Sequence, residues 1–230
     1  ALDSGGAEPR WFVNKWGHTM VALPANAVFQ TGSPLGEPGR LASENLAKKR
    51  IDHAFAISSK LTTIDQFSHF DGEAHKKRLP PAFAEPGDLP VVWVTWFEAA
   101  KYCNALSEAE GLEPCYELDE HGKLYVKPNY IELSGYRLPT DAEVEYANRG
   151  ATETCRFYGE TEDLLAEYAW YYKNALESSR PVGKLKPNEF GFFDIQGNAF
   201  TWCHDRVNNG SEPESLVDES QPRILRGAAY

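Results

Sequence analysis

Residues 136–150 read YRLPTDAEVEYANRG, and this stretch predicts a short helix with a defined start and end. Thr140 stands at the N-cap position and Glu143 at the third helical position. This is the spacing of a capping box, in which each side chain accepts a hydrogen bond from the other residue's backbone N–H. Apolar residues follow at helical spacing, and Gly150 is suited to end the helix. We therefore expect a short amphipathic helix with one buried face.

The same pattern occurs twice earlier in the chain. Thr63 precedes IDQ at residues 64–66, and Thr95 precedes WFE at residues 96–98, so each Thr again has Gln or Glu three positions later. After Thr95, apolar residues continue at helical spacing as far as Gly111. The sequence therefore predicts three capped amphipathic helices.

The remaining segments predict short strands and long loops. Residues 10–29 contain two apolar runs around Lys15, Trp16 and Gly17, which is typical of a hairpin. Strand-like patterns follow at residues 53–58, 113–136 and 223–227. Residues 30–50 and 71–90 look like loops rich in glycine, proline or charge, and from residue 151 onward regular patterns fade. With 18 Gly and 15 Pro, the fold class that we expect is α+β, irregular and loop-rich.

The overall charge limits the classes of partner. The chain has 23 basic and 34 acidic residues and a net charge of −11, which argues against nucleic acid and against an anionic membrane surface. No apolar run approaches the roughly 20 residues needed to span a bilayer. The four cysteines lack CxxC pairing, and no secretory signal opens the sequence, so we expect a cytoplasmic protein.

Five separated segments occur in an order that resembles one known family. They are VVWVTW (91–96), YRLPTDAEVEYA (136–147), PVG with PNEFGFFDI (181–183 and 187–195), GNAFTW (197–202) and RILRGAAY (223–230). Together they are similar to the conserved segments of the formylglycine-generating enzyme, or sulfatase-modifying factor, family. The resemblance implies a fold related to C-type lectins. It also implies a single domain over residues 1–230 that lacks the family's C-terminal segment.

The resemblance implies copper chemistry for the enzymes of the family, but not for this chain. In those enzymes a copper ion held by two cysteines oxidises a substrate cysteine of a sulfatase to formylglycine. None of Cys103, Cys115, Cys155 or Cys203 falls on the matching positions. We therefore assign no catalytic residue, and we expect no copper cofactor.

Calcium is the metal that the resemblance leaves open. Members of the family bind calcium partly through the loop that matches residues 197–202, so the oxygen of Asn198 is a candidate ligand. Thr201, however, stands where the family has Glu, and calcium prefers sites that include carboxylates. The sequence thus predicts at most a weak calcium site at Asn198.

The resembling motifs supply two sets of candidate residues. The first set has structural roles, because an arginine before a capped helix pairs well with buried acceptors and glycines permit tight turns. Its members are Arg137, Thr140, Glu143, Gly191 and Gly197. The second set is expected to bind a ligand or partner, and consists of Asn188, Asn198, Trp202, Arg226 and Tyr230.

Two functions remain open at this point. The first is a non-catalytic recognition module within a larger protein or complex, as in bacterial relatives that append this domain to kinases or proteases. The second is a formylglycine-generating oxidase whose catalytic C-terminal segment is missing. We favour recognition, and we expect another polypeptide to cover the strand edge around Trp202, Leu225 and Tyr230. That polypeptide is a partner protein, a second copy or a continuation of the chain.

Overall fold

A computed structural model describes residues 10–36, 40, 42, 44–80, 83, 84, 86–207, 217 and 221–228. Its strands are short and antiparallel. The largest sheet has three strands in the order β1 (Arg10–Val13), β2 (Thr19–Leu23) and β5 (Phe55–Ser58). Three pairs complete the set: β3 (Ala27–Thr31) with β4 (Ala47–Ile51), β6 (Tyr116–Leu118) with β7 (Leu124–Val126), and β8 (Thr201–Arg206) with β9 (Arg223–Arg226). The expected hairpins near residues 10–29 and 113–136 are confirmed.

The three capped helices are confirmed as well. They are α1 (Ile64–Asp71), α3 (Trp96–Glu110) and α4 (Asp141–Arg149), and each has both hydrogen bonds of a capping box. Each ends at a glycine in the left-handed conformation, which lacks the steric penalty that a Cβ atom would bring. Two shorter helices, α2 (Ala74–Arg78) and α5 (Leu165–Tyr168), lie in segments where we expected loops.

Strand β4 also lies where the sequence indicated a loop. Its residues read AKKRI, and only Ile51 is buried, so the alternation of apolar and polar residues that marks a strand is missing. Helix α2 was overlooked for a similar reason, because only His75 of its five residues is buried. Conversely, residues 131–133 were expected to form a strand, but residues 131 and 132 lie in a turn and residue 133 has no regular structure. The acidic segment 208–222 lies mostly outside the described residues.

Among the residues that the structure describes, the core contains four hydrophobic clusters. The largest surrounds Trp96 and Tyr116, between α3 and the β6–β7 hairpin. A second joins β2 to α4 through Val21, Leu23 and Ala147. Two smaller clusters lie around Ile64 and around Phe67. Within the described part of the chain, no helix has the length and apolar character needed to cross a membrane.

Candidate recognition site

Arg137 and Glu143 form a buried ion pair at the start of α4. Nη1 and Nη2 of Arg137 donate to the carboxylate of Glu143, with N–O distances of 2.8 and 2.6 Å, and only 1% of the Glu143 side chain is exposed. The Thr140 N–H donates to the same carboxylate at 2.7 Å, and His53 Nε2 lies 2.7 Å from it. Burial raises the pKa of Glu143, but the charge and hydrogen bonds of Arg137, together with the bonds from His53 and Thr140, outweigh burial and lower that pKa to about 2. The sequence identified Arg137, Thr140 and Glu143, but not His53.

Arg226 connects the last strand to the same helix. Its Nε donates to Asp141 at 2.6 Å, and its Nη2 donates to Glu145 at 3.2 Å. Glu145 is itself buried and accepts further hydrogen bonds from Thr31 and Arg149. Arg226 was predicted to bind a ligand, which stays a prediction; its Nε and Nη2 are engaged by α4. Glu145 was not among the predicted residues, because two of its partners, Thr31 and Arg226, are 114 and 81 residues away.

Asn188 closes the other end of α4. Its Nδ2 donates to the carbonyl of Ala147 at 2.6 Å, and its Oδ1 accepts from the backbone N–H groups of Phe190 and Phe192. Gly191 lies inside this turn with φ +87°, a conformation that L side chains rarely adopt. Because all of these bonds are internal, Asn188 holds the loop of residues 188–192 against the helix.

Asn198 is fully buried and forms a similar clamp. Its Oδ1 accepts from the Arg180 N–H at 2.8 Å, and its Nδ2 donates to the Arg180 carbonyl at 2.9 Å. Beside it, a Cβ atom added at Gly197 would lie 2.2 Å from the carbonyl oxygen of Trp170, so only glycine fits there. Glycine is thus required at the two positions for different reasons. Gly191 has a positive φ angle, whereas Gly197 lies against the backbone of another segment.

The same bonds bear on calcium. The Oδ1 of Asn198 is already engaged by the Arg180 N–H, which leaves one lone pair for a cation. The carboxylate beside it belongs to Asp194, whose Oδ1 lies 3.5 Å from Asn198 Nδ2, and burial raises its pKa. In the described part of the chain no three His, Cys, Asp or Glu side chains are grouped to hold a metal ion. Calcium binding at Asn198 stays a prediction.

Three of the cysteines are buried thiols. Cys103 lies on α3 and Cys203 on β8, and burial raises the pKa of each thiol to about 12. The Cys115 thiol points at the carbonyls of Tyr130 and Gly135, and burial raises its pKa too. The thiolate is the form that binds soft metals and attacks electrophiles, so these three thiols have low reactivity in the folded protein.

The side chain of Trp93 is exposed to solvent in the segment between α2 and α3. Trp93 is 62% exposed and has φ +58°, which costs a bulky residue roughly 1–3 kcal/mol. The carbonyls on both sides of it are fixed, since His75 Nε2 donates to Val92 and Trp202 Nε1 donates to Val94, at 2.7 and 2.9 Å. These bonds impose the strained conformation and direct the indole ring outward against Phe83, with 5.2 Å between ring centroids.

Further apolar residues lie on β8 and β9 and just before β8. Trp202, whose indole bonds to Val94, is half-buried and lies opposite Leu225 in the strand register. Phe200 and Leu225 are exposed, and Phe200 lies two residues before Trp202 in the chain. We call this set the aromatic surface: Phe83, Trp93, Phe200, Trp202 and Leu225. Of the predicted binding residues, only Trp202 lies on it, and Tyr230 lies outside the described residues.

Trp93 was missed as a site residue because its segment matched a helix-entry motif. The segment VVWVT is mostly apolar, and nothing local indicates that its central residue turns outward. The two hydrogen bonds that fix the carbonyls of Val92 and Val94 come from His75 and Trp202, which are 18 and 109 positions from Trp93. Only the tertiary structure brings them together.

A cavity of about 560 Å³ lies among the core residues. It is lined by Met20 of β2, by residues 54–58, which include β5, and by residues 192–195, 199–202 and 226–227. Residues of α1, α3 and α4 and residues 133–139 line it as well. Most of these residues are apolar.

Comparison with known families gives one match over almost the whole chain. The family model described as "Sulfatase-modifying factor enzyme 1-like domain" matches residues 12–230. Among solved structures, Treponema denticola variable protein 1 superposes with a TM-score of 0.76 and 26% identity, covering 97% of this chain and 88% of that one.

Two curated relatives extend the comparison. The "Chaperone protein LppX" of Paenibacillus barcinonensis is 33% identical over 62% of this chain and 59% of its own length. The "Formylglycine-generating enzyme" of Mycobacterium tuberculosis is 31% identical over 44% of this chain and 42% of its own length. The matched region thus spans less than two thirds of the length of either relative.

Proposed function

Because the chain belongs to the family of sulfatase-modifying factor enzyme 1-like domains, we propose that it is a non-catalytic recognition module, which binds a partner polypeptide through the aromatic surface. Membership of the family does not decide activity. Relatives carry names as different as a chaperone, an enzyme and a variable protein. Function is therefore argued from the site rather than from the fold.

The observation that carries the proposal is the conformation of Trp93. Two hydrogen bonds hold it in a strained left-handed conformation, and its ring is mostly exposed rather than buried in the core. A fold gains nothing in stability from straining a residue in order to expose an indole ring to water. Exposed aromatic side chains on fixed backbone are typical of binding surfaces, where tryptophan often contributes most of the affinity.

The state of the thiols supports recognition over oxidation. A copper oxidase needs thiolates that reach both the metal and the substrate. Cys103, Cys115 and Cys203 are buried, and burial raises the pKa of each. Their environments are those of core residues.

A formylglycine-generating oxidase is the second candidate. It is favoured by the 31% identity to the Mycobacterium tuberculosis enzyme. The two candidates differ in a measurable product. The 230-residue chain is incubated with Cu(I), oxygen and a peptide containing the sulfatase motif Cys-x-Pro-x-Arg, and the aldehyde is measured by mass spectrometry. We expect none, and catalytic turnover would reject the recognition proposal for this chain.

Recognition itself is tested by site-specific crosslinking in the source organism. Benzoylphenylalanine replaces Trp93 in one variant and Tyr172, which is 72% exposed and not part of the aromatic surface, in the control. We expect a discrete crosslinked polypeptide from position 93 and not from position 172. Purified partner should then bind Trp93→Phe more tightly than Trp93→Asn, because only the former keeps an aromatic ring. Equal labelling from both positions would contradict the proposal.

A further inference from the structure

His75 lies between one group that can only donate a hydrogen bond and one that can only accept. The residue is 3% exposed, and its Nε2 lies 2.7 Å from the carbonyl oxygen of Val92. Its other ring nitrogen, Nδ1, lies 3.0 Å from Nη2 of Arg78. A guanidinium group has no acceptor, and a carbonyl group has no donor. The arrangement therefore requires a neutral imidazole that carries its proton on Nε2.

The bond from His75 acts on the peptide unit that sets the conformation of Trp93. The Val92 carbonyl and the Trp93 N–H belong to one planar unit, so a rotation of that unit changes φ of Trp93. Its φ of +58° is unfavourable for a bulky residue, and the bond to His75 opposes the rotation that would relieve it. The bond from Trp202 holds the carbonyl of Val94, which belongs to a later peptide unit. The outward position of Trp93 thus depends on a neutral His75.

A second proton on the imidazole is incompatible with this arrangement. The proton would be placed on Nδ1, so that two donors and two positive charges would face each other across the 3.0 Å to Arg78. Arg78 is free to turn away, because its side chain is 62% exposed and it also pairs with Glu98 of α3 at 3.1 Å. The protonated Nδ1 would then need another acceptor.

The carboxylate of Asp71, the last residue of α1, is suited to that role. Its Oδ2 already accepts from the backbone N–H of His75 at 2.6 Å, which places a negative charge beside this residue. The other neighbour of the ring on α1 is Phe67, which is apolar, and the charge from α3 is Glu98, which Arg78 contacts. A protonated imidazole is therefore repelled by Arg78 and attracted by Asp71. Turning toward Asp71 moves Nε2 away from the carbonyl that it holds.

We propose that His75 is a pH-sensitive latch for the aromatic surface. The neutral imidazole holds Trp93 outward, whereas the protonated imidazole turns from Val92 to Asp71 and lets Trp93 leave the strained conformation. This inference concerns the regulation of the proposed recognition function and rests on it. All parts of the latch belong to α1, α2, α3 and the segment between α2 and α3, so it can be tested without a partner.

Fluorine NMR of the 230-residue chain labelled with 5-fluorotryptophan tests the latch. The chain has six Trp, and Trp93→Phe identifies the resonance of Trp93. We expect its chemical shift to follow a single titration curve between pH 8 and pH 5, while circular dichroism shows that the chain stays folded. His75→Gln keeps an N–H donor for Val92 but takes up no proton. In this variant the Trp93 resonance should stay at its high-pH position.

Two further variants serve as controls. His121→Gln removes an imidazole that is 73% exposed in the β6–β7 turn, and it should keep the full response. Asp71→Asn keeps an acceptor oxygen but loses the negative charge, and it should reduce the response. A Trp93 resonance that is independent of pH, or an equal response in His75→Gln and His121→Gln, would overturn the proposal. If His75→Gln does not fold, an undiminished response in Asp71→Asn overturns it instead.

The effect on recognition is measured with the polypeptide that is captured at position 93. It should bind about ten-fold more weakly at pH 5.5 than at pH 7.5. Its affinity for His75→Gln should change by less than about two-fold between the same pH values. Absence of a captured polypeptide counts against the proposed function, whereas a resonance that is independent of pH counts against the latch, so the two failures are distinguishable.

Discussion

Replacing Arg137 with alanine leaves the carboxylate of Glu143 buried without its main partner. Arg137 supplies two hydrogen bonds to Glu143, a third to the carbonyl of Leu138 and a cation–π contact with Tyr130. Removing one partner of a buried ion pair typically costs about 3–5 kcal/mol of unfolding free energy. Glu143 keeps its bonds to Thr140 and His53, so the lower end of this range applies. We expect a loss of about 3 kcal/mol at pH 7.

The loss should depend on pH with a defined sign. In the native protein Arg137, His53 and Thr140 together lower the pKa of Glu143 to about 2, against the effect of burial. A lowered carboxylate pKa contributes stability that is complete above the unfolded pKa, near 4.5, and disappears as the pH falls toward 2. In the variant, only the bonds from Thr140 and His53 oppose the effect of burial, so the pKa of Glu143 lies above its native value. The difference between native protein and variant should therefore shrink between pH 4.5 and 3.

Urea denaturation followed by tryptophan fluorescence measures both effects, at pH 7 and at pH 3.5. Thr140→Ala removes only the N-cap bond and should cost about 1 kcal/mol. Arg50→Ala removes an exposed ion pair with Asp52 and should cost about 0.5 kcal/mol. If Arg137→Ala costs no more than Thr140→Ala, or if its cost is independent of pH, the buried pair does not contribute as argued.

Three further predictions concern other buried groups. Burial lowers the pKa of His18 to about 4 and that of His204 to about 3, so the unfolded chain binds more protons below pH 6.5. As the pH is lowered from 6.5 to 4.5, the unfolding free energy should fall by up to about 1.4 kcal/mol per pH unit for each histidine. His204→Gln should reduce this slope, and an unfolding free energy that does not change with pH would contradict the prediction. Asn198→Ala should cost about 3 kcal/mol of unfolding free energy in urea denaturation, because the N–H and C=O of Arg180 lose their hydrogen bonds and alanine takes φ +71°. The exposed control Asn129→Ala should cost less than about 0.5 kcal/mol. The thiols of Cys103, Cys115 and Cys203 should react with a thiol reagent only after denaturation, and rapid reaction of any of them in the native protein would contradict the raised pKa values.

The sequence by itself determined the elements whose signals are local. A capping box spans four residues, so Thr63, Thr95 and Thr140 each mark a helix start without any knowledge of the rest of the chain. The order of the motifs determined the family for the same reason, since each motif is contiguous. Strand β4 and helix α2 were not predicted, because most of their residues are exposed and their apolar residues do not recur at strand or helix spacing.

Only the tertiary structure decided which side chains face the surface. Arg226 pairs with Asp141 and Glu145, more than 80 residues away, and its role in binding stays a prediction. Trp93 was not among the predicted site residues, because the bonds from His75 and Trp202 that fix the carbonyls on both sides of it come from distant parts of the chain. Distances between segments far apart in the chain are not written in local residue patterns. Local energies select helices and turns, whereas the binding surface depends on packing between segments that meet only when the chain is folded.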